Sequence, residues 1–234
     1  MDDERPAWEY EGILMKSFMR MPSQKSTDTT AAPAAAPSAT PKPPSRERGR
    51  ARVAALMAAA SAVFAEKGYD AATMTEIAAR AGAPIGSLYQ FFPTKAVLAD
   101  ALLVRYGEAL MALMAEVEVQ APALSPAELG ATLMAVLPSL KVERRAAFAL
   151  IDARPDMVAQ QGQLRASLRA AVAGVLRAKA PDLPPDRAAT LAVTVLQMMK
   201  AAAALADEPD PAVGEKAMGG LARAASLYLS DVLA

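Results

Sequence analysis

TMTEIAARAGAPIGSLYQFFPTK, residues 73–95, decides how the chain is read. Thr73-Met74-Thr75-Glu76 opens it as a capping box, in which the Thr73 hydroxyl accepts from the Glu76 amide while the Glu76 carboxylate reaches back. Met74, Ile77, Ala78 and Ala81 then give a short helix one apolar face. Gly82 supplies a turn, and Pro84 can open a second helix because its missing N–H would have no helical partner there. In that helix Leu88 and Phe92 point inward, whereas Ile85, Gly86, Tyr89 and Gln90 share the outward face. Pro93 ends it, and Thr94 caps the next helix. A short helix, a glycine turn and a second short helix over residues 75–92 have the shape of a helix-turn-helix. Periodicity alone does not make it one, since many all-helical proteins that never touch DNA contain such pairs.

Upstream, Val53, Leu56, Met57, Ala60, Val63 and Phe64 recur at the spacing of one helical face, and Gly68 stops that helix. Just before it Arg46, Arg48, Arg50 and Arg52 alternate along the chain, which reads either as a phosphate-seeking end or as a solvated linker. Downstream of Thr94 a long fourth helix buries Leu98, Leu102, Ala109, Leu110, Leu113 and Val117. Beyond Pro122, breaks at Pro126, Pro138, Pro155, Pro181 to Pro185 and Pro209 to Pro211 divide the remainder into five helical stretches. The one from about Pro185 to Ala206 is apolar nearly all round and is expected to be buried on more than one side. The last, to about Leu233, sets Gly219 and Gly220 beside an apolar face, which suits either a subunit interface or a monomeric core.

Composition narrows the function. The 234 residues include neither cysteine nor histidine, which removes disulfides, thiolates, most metal sites and the commonest general base. An enzyme on such a helical bundle would use clustered carboxylates with Glu-x-x-His spacing, so no enzyme, cofactor or metal is expected. A hydrophobic fraction of 53% with only 5% aromatics favours close-packed helices over sheets. The longest uninterrupted apolar run, Val53 to Ala60, is far short of the roughly 20 residues that cross a bilayer, and so is Ala201 to Ala206, so no membrane partner is expected. Acidic residues at positions 2–4, with Lys16 and Arg20, do not make a secretory signal, and a cytoplasmic location is expected. Net charge is zero but unevenly placed: residues 46–95 carry 7 basic and 4 acidic groups, the segments on either side an acidic excess. Residues 1–45 read as a flexible extension: a short apolar helix around Trp8 to Met19, then a stretch over 22–45 that Pro22, Pro33, Pro37, Pro41, Pro43 and Pro44 keep from forming a continuous helix.

The run Arg52-Val53 through Leu56-Met57-Ala58-Ala59-Ala60, Val63-Phe64, Lys67-Gly68-Tyr69, Ala72-Thr73, Ile77-Ala78, Ala81-Gly82 and Ile85 to Lys95 resembles the amino-terminal domain of the TetR (tetracycline repressor) family. The likeness covers roughly residues 46–105, and the Leu-Tyr-x-x-Phe-Pro-x-Lys ending is particular to that family. The carboxy-terminal half offers no matching motif. The resemblance implies an all-α protein: a three-helix helix-turn-helix DNA-binding domain over 46–105, joined by the long fourth helix to a helical-bundle ligand-binding and dimerisation domain over 106–234. It also implies DNA contacts at Thr73 and Thr75, at Pro84, Ile85, Gly86, Ser87, Tyr89 and Gln90, and at Lys95. Pro84 departs from the commoner serine, which puts one side-chain phosphate contact in doubt, and Ala83 stands where valine is frequent.

The side-chain types suit those roles. Ile85 can meet a thymine methyl, Gly86 permits close approach, Ser87 and Tyr89 offer hydroxyls to phosphate, and Gln90 can pair bidentately with adenine. Lys95 stands at a helix amino terminus, which itself favours phosphate. The expected partners are double-stranded operator DNA, a second copy of the chain through the last two helices, and a small, largely apolar effector that releases the operator, with repression the default. Met111, Met134, Phe148 and Met198 are the candidates for lining the effector site, because methionine adapts to irregular ligands; Met114, Met157 and Met199 are further candidates, and Arg144, Arg145 and Asp152 possible polar anchors. An alternative is a helical ligand-binding or scaffold dimer with a vestigial DNA-binding head, distinguished by failure to bind an operator while still dimeric.

Overall fold

The computed structural model describes residues 45–233, so the extension expected before them lies outside the described residues. The chain enters through α1 (Ser45–Ala71), whose apolar stripe is buried as the spacing requires, with Leu56, Val63 and Phe64 fully so. Gly68 breaks the helix with φ 77 and ψ 174, a conformation essentially restricted to glycine, and one further turn follows.

Thr73 caps α2 (Met74–Arg80), its hydroxyl accepting from the Glu76 N–H at 3.2 Å. The expected return arm of the capping box does not form: the Glu76 carboxylate pairs with Lys67 at 2.6 Å. Packing of α2 against α1 brings an ammonium beside it, a competitor no four-residue window contains. Gly82 turns the chain at φ 59 into α3 (Ile85–Phe91), where Pro84 is the cap residue and Leu88 and Phe92 are buried.

Thr94 accepts from the Val97 N–H and starts α4 (Lys95–Gln120), a rod about 39 Å long at 1.5 Å per residue. Its first turns place Leu98, Ala99 and Leu102 in a core shared with α1 to α3; its later turns place Tyr106, Leu110, Met114 and Val117 in a second core. Five helices follow Pro122, as the proline spacing predicts: α5 (Pro126–Ser139), α6 (Lys141–Ala153), α7 (Val158–Lys179) after a 3-10 turn at Pro155–Met157, α8 (Pro185–Leu205) and α9 (Pro211–Val232). Pro126, Pro185 and Pro211 stand in first turns, where a missing N–H is harmless.

The two cores are not divided by position in the chain. Ala146 and Leu150 of α6 pack into the first core with Leu56, Leu98 and Leu102, so a helix from the carboxy-terminal half helps hold the amino-terminal three. The other face of α6 is tied to the end of α8. Arg144, almost fully buried, donates to the Asp207 carboxylate at 2.6 Å and to the Ala203 carbonyl at 3.1 Å, while Lys141 reaches Asp207 and the Ala206 carbonyl. Both cations meet the negative end of the α8 dipole. Burial pushes the Asp207 carboxyl up, but hydrogen bonds from Arg144 and Lys141 outweigh it and hold it below the ordinary carboxylate value.

α8 is less enclosed in the single chain than its apolar composition leads one to expect. Among the described residues it is long and apolar enough to cross a membrane by length and composition, with mean hydropathy 1.5. Thr190, Thr194 and Lys200 interrupt the apolar run without making the helix polar. Its inner face, with Leu191, Val195, Leu196 and Met199, is buried in the second core, whereas Ala189, Val193, Ala201 and Ala204 are exposed in the single chain.

Candidate nucleic-acid interface

α2 and α3 hang from the first core by Met74, Ile77, Ala78, Leu88 and Phe92, and this anchoring turns their opposite faces outward. Ile85, Gly86 and Gln90 are exposed, Tyr89 is 49% exposed, and Ser87 is half-buried at the edge. Thr73 and Thr75 are exposed at the start of α2, and Pro84 at the start of α3. Eight of the nine residues singled out for DNA contact therefore have an open path to solvent on the two short helices. Beside them Arg48, Gly49 and Arg52 of α1 border an open groove shared with Pro84, Ser87 and Gln90. Arg48 and Arg52, one helical turn apart, thus stand at the edge of α3, which the alternating arginine run did not by itself establish.

Lys95 is the ninth, and its ammonium is engaged within the chain. Nζ donates to the carbonyls of Tyr69, Asp70 and Ala72 at 2.7, 3.2 and 3.1 Å and lies 4.4 Å from the centre of the Tyr69 ring. An ammonium has three N–H donors, and all three are engaged within the chain. The last turn of α1 and the link to α2, residues 69–72, present three carbonyls to this cation. Lys95 is a clasp that fixes the start of α2. Arg154 approaches the other side of this region: it lies 5.9 Å from the Tyr69 ring centre and bridges Asp100 of α4 at 2.6 Å and Asp156 at 2.7 Å.

The side chains proposed for an effector site are not brought together. Met134 is fully packed in the second core, Met111 and Met198 lie partly buried against it, and Phe148 is 47% exposed outside both cores. Each stands on a different helix, and residue type does not reveal which way a helix faces. Arg144 is committed to Asp207, and Arg145 and Asp152 are exposed. A half-open cavity of about 350 Å³ lies elsewhere, against one face of α4, within the usual range for ligand sites, roughly 300–1,000 Å³. Asp100, Leu103, Val104, Gly107 and Glu108 form its α4 wall. Ile151 and Met157 close one end, and α7 contributes Gln160, Gln161, Gln163, Leu164 and Ser167. Of the methionines considered from sequence, Met157 is the one that lines it. The signal overlooked was Gly107, a glycine in mid-helix, which costs about 1 kcal/mol relative to alanine and so asks for a reason.

Comparison with known proteins places this geometry. The model for bacterial regulatory proteins of the tetR family matches residues 56–102, and that for the tetracyclin repressor-like C-terminal domain matches residues 127–229, the half in which no motif was recognised. No curated protein matches the sequence. Solved structures of similar fold include a transcriptional regulator of the TerR/AcrR family from Aquifex aeolicus VF5, 20% identical, TM-score 0.58, covering 73% of this chain and 97% of its own. A transcriptional regulator from Rhodococcus sp. Rha1 is 26% identical, TM-score 0.53, with 77% and 95% covered. A tetR-family regulatory protein from Rhodococcus RHA1 is 21% identical, TM-score 0.55, with 77% and 96% covered. With both halves matched in order along more than half of its length, the chain belongs to the TetR family of DNA-binding transcription regulators.

Proposed function

We propose that the protein is a ligand-released repressor that binds a palindromic operator as a homodimer. The observation that carries it is the division of α3 into a buried side, Leu88 and Phe92, and an exposed side, Ile85, Gly86, Tyr89 and Gln90, bordered by Arg48 and Arg52. On this reading Ile85, Gly86 and Gln90 meet base edges, and Thr73, Thr75, Ser87, Tyr89 and the two arginines meet phosphates, with Pro84 supporting the close approach. A two-fold dimer sets its reading heads about 34–36 Å apart, so the operator is a near-palindrome. The dimer forms through α8 and α9, whose uncovered faces carry Val193, Val213 and Leu227 beside the small residues Gly219, Gly220 and Ala224. The cavity on α4 holds the effector, and the complex works in the cytoplasm.

Release needs an effector that binds the DNA-competent spacing less well than another; equal affinity for both releases nothing. α4 is suited to convey the difference because its first turns belong to the DNA-binding core and its middle turns form the cavity wall.

Selection of genome fragments by purified protein, followed by binding at several salt concentrations, tests the reading. The expected result is a palindrome bound by a dimer with a steep salt dependence. On it, Gln90→Ala relaxes preference at one base pair and costs about 1–3 kcal/mol, whereas Tyr89→Phe weakens binding to every sequence alike. No preferred sequence from folded, dimeric protein would replace this reading with the ligand-binding dimer.

A further inference from the structure

The cavity on α4 combines four features. Its body is apolar, with Leu103, Val104, Ile151, Met157 and Leu164. Its lining contains two carboxylates, Asp100 and Glu108, and no cationic side chain. Asp100 is neutralised by Arg154 at 2.6 Å, but Glu108 has no ion-pair partner among the described residues and stands exposed at the rim. Finally, Gly107 lies between the apolar part and Glu108, and a Cβ there would meet only Leu164 Cδ1 at an ordinary 3.5 Å. No backbone requirement explains a helical glycine at that point, and it leaves that part of the α4 wall without a side chain.

From these we infer that the cavity takes a small amphipathic amine, its ammonium at Glu108 and its hydrocarbon body across Gly107 toward Leu103 and Met157. The inference deepens the proposed effector site and rests on that reading for its regulatory meaning. An uncompensated carboxylate favours a cationic head and repels a carboxylate of the same length. The side-chain amides of Gln160, Gln161 and Gln163 can take up N–H groups of the head by their oxygens. An exposed rim carboxylate contributes modestly through charge, so most of the affinity comes from the apolar body, while the sign of the head sets the selectivity.

Three probes with one hydrocarbon body, decylammonium, decanol and decanoate, isolate the head when titrated calorimetrically into the full-length protein. The expected order is decylammonium tightest and decanoate weakest, with about fivefold or more between those two. Glu108→Gln lowers decylammonium affinity about two- to fivefold and leaves decanol unchanged. Gly107→Leu fills the cavity and abolishes binding of all three; Gly107→Ala, which favours the helix, weakens them and serves if the leucine variant does not fold. Decanoate binding as tightly as decylammonium, Glu108→Gln without effect on the ammonium probe, or the Gly107 variants retaining full affinity would each overturn the inference. Operator binding by the same preparation, without probe, reports separately on the repressor reading, so either can fail while the other stands.

Discussion

Gly86 stands in α3 with open space where a Cβ would go and no left-handed φ, so nothing in the fold requires glycine there. Gly82, four residues earlier, has φ 59 and does require it. If Gly86 is present so that backbone can lie against a base, Gly86→Ala separates stability from function. Thermal melts are expected to show a gain of roughly 0.5–1 kcal/mol from the better helix former, while operator affinity falls by about 1–3 kcal/mol. Unchanged operator affinity would show that the α3 backbone does not approach DNA. Lys95 invites the opposite separation. Its ammonium satisfies three carbonyls of residues 69–72, so Lys95→Met, which keeps the apolar stem, is expected to cost about 1–2 kcal/mol of stability and leave the salt dependence of DNA binding intact. A phosphate contact would give the reverse, a normal melt and a salt slope smaller by about one.

Among the elements, α6 has the most to carry. It contributes Ala146 and Leu150 to the first core and holds the end of α8 through Arg144 and Lys141. Asp207 is the common acceptor, and Asp207→Asn leaves the buried Arg144 guanidinium without its counter-charge, at a cost of about 1–3 kcal/mol near neutral pH. The folded-state pKa of Asp207 lies below its unfolded value, so its contribution is present above the ordinary carboxylate pKa and fades as pH falls through the folded one. The difference in unfolding free energy between wild type and Asp207→Asn is therefore expected to shrink below about pH 4. A difference independent of pH would show that the carboxylate charge is not what Arg144 needs. α4 bears the other burden, linking the DNA-binding core to the cavity, with the Arg154–Asp100 bridge fastening the end of α6 to its second turn.

For the whole molecule, the uncovered faces of α8 and α9 set the assembly prediction. Leu227 is 62% exposed on α9, beyond Gly220 and Ala224 on the same side. Leu227→Arg is expected to yield a folded monomer by light scattering, with operator binding lost because two half-sites are no longer held together. Dimers persisting at full strength would place the interface elsewhere. Much of the plan was legible in the chain itself. The three-residue and four-residue spacing of Val53 to Phe64, the prolines after position 122 and the TMTEIAARAGAPIGSLYQFFPTK stretch determined the helices, their order and the outward face of α3, because helical periodicity and turn chemistry are local. The Glu76 partner, the Lys95 clasp, the union of α6 with the first core and the cavity around Gly107 were decided only by tertiary structure. Each joins groups from separate elements, Lys95 to carbonyls more than twenty residues earlier and Arg144 to an acid more than sixty later. A periodic pattern tells which face of a helix is buried, but not against what, and a cavity is the space that several such faces leave unfilled.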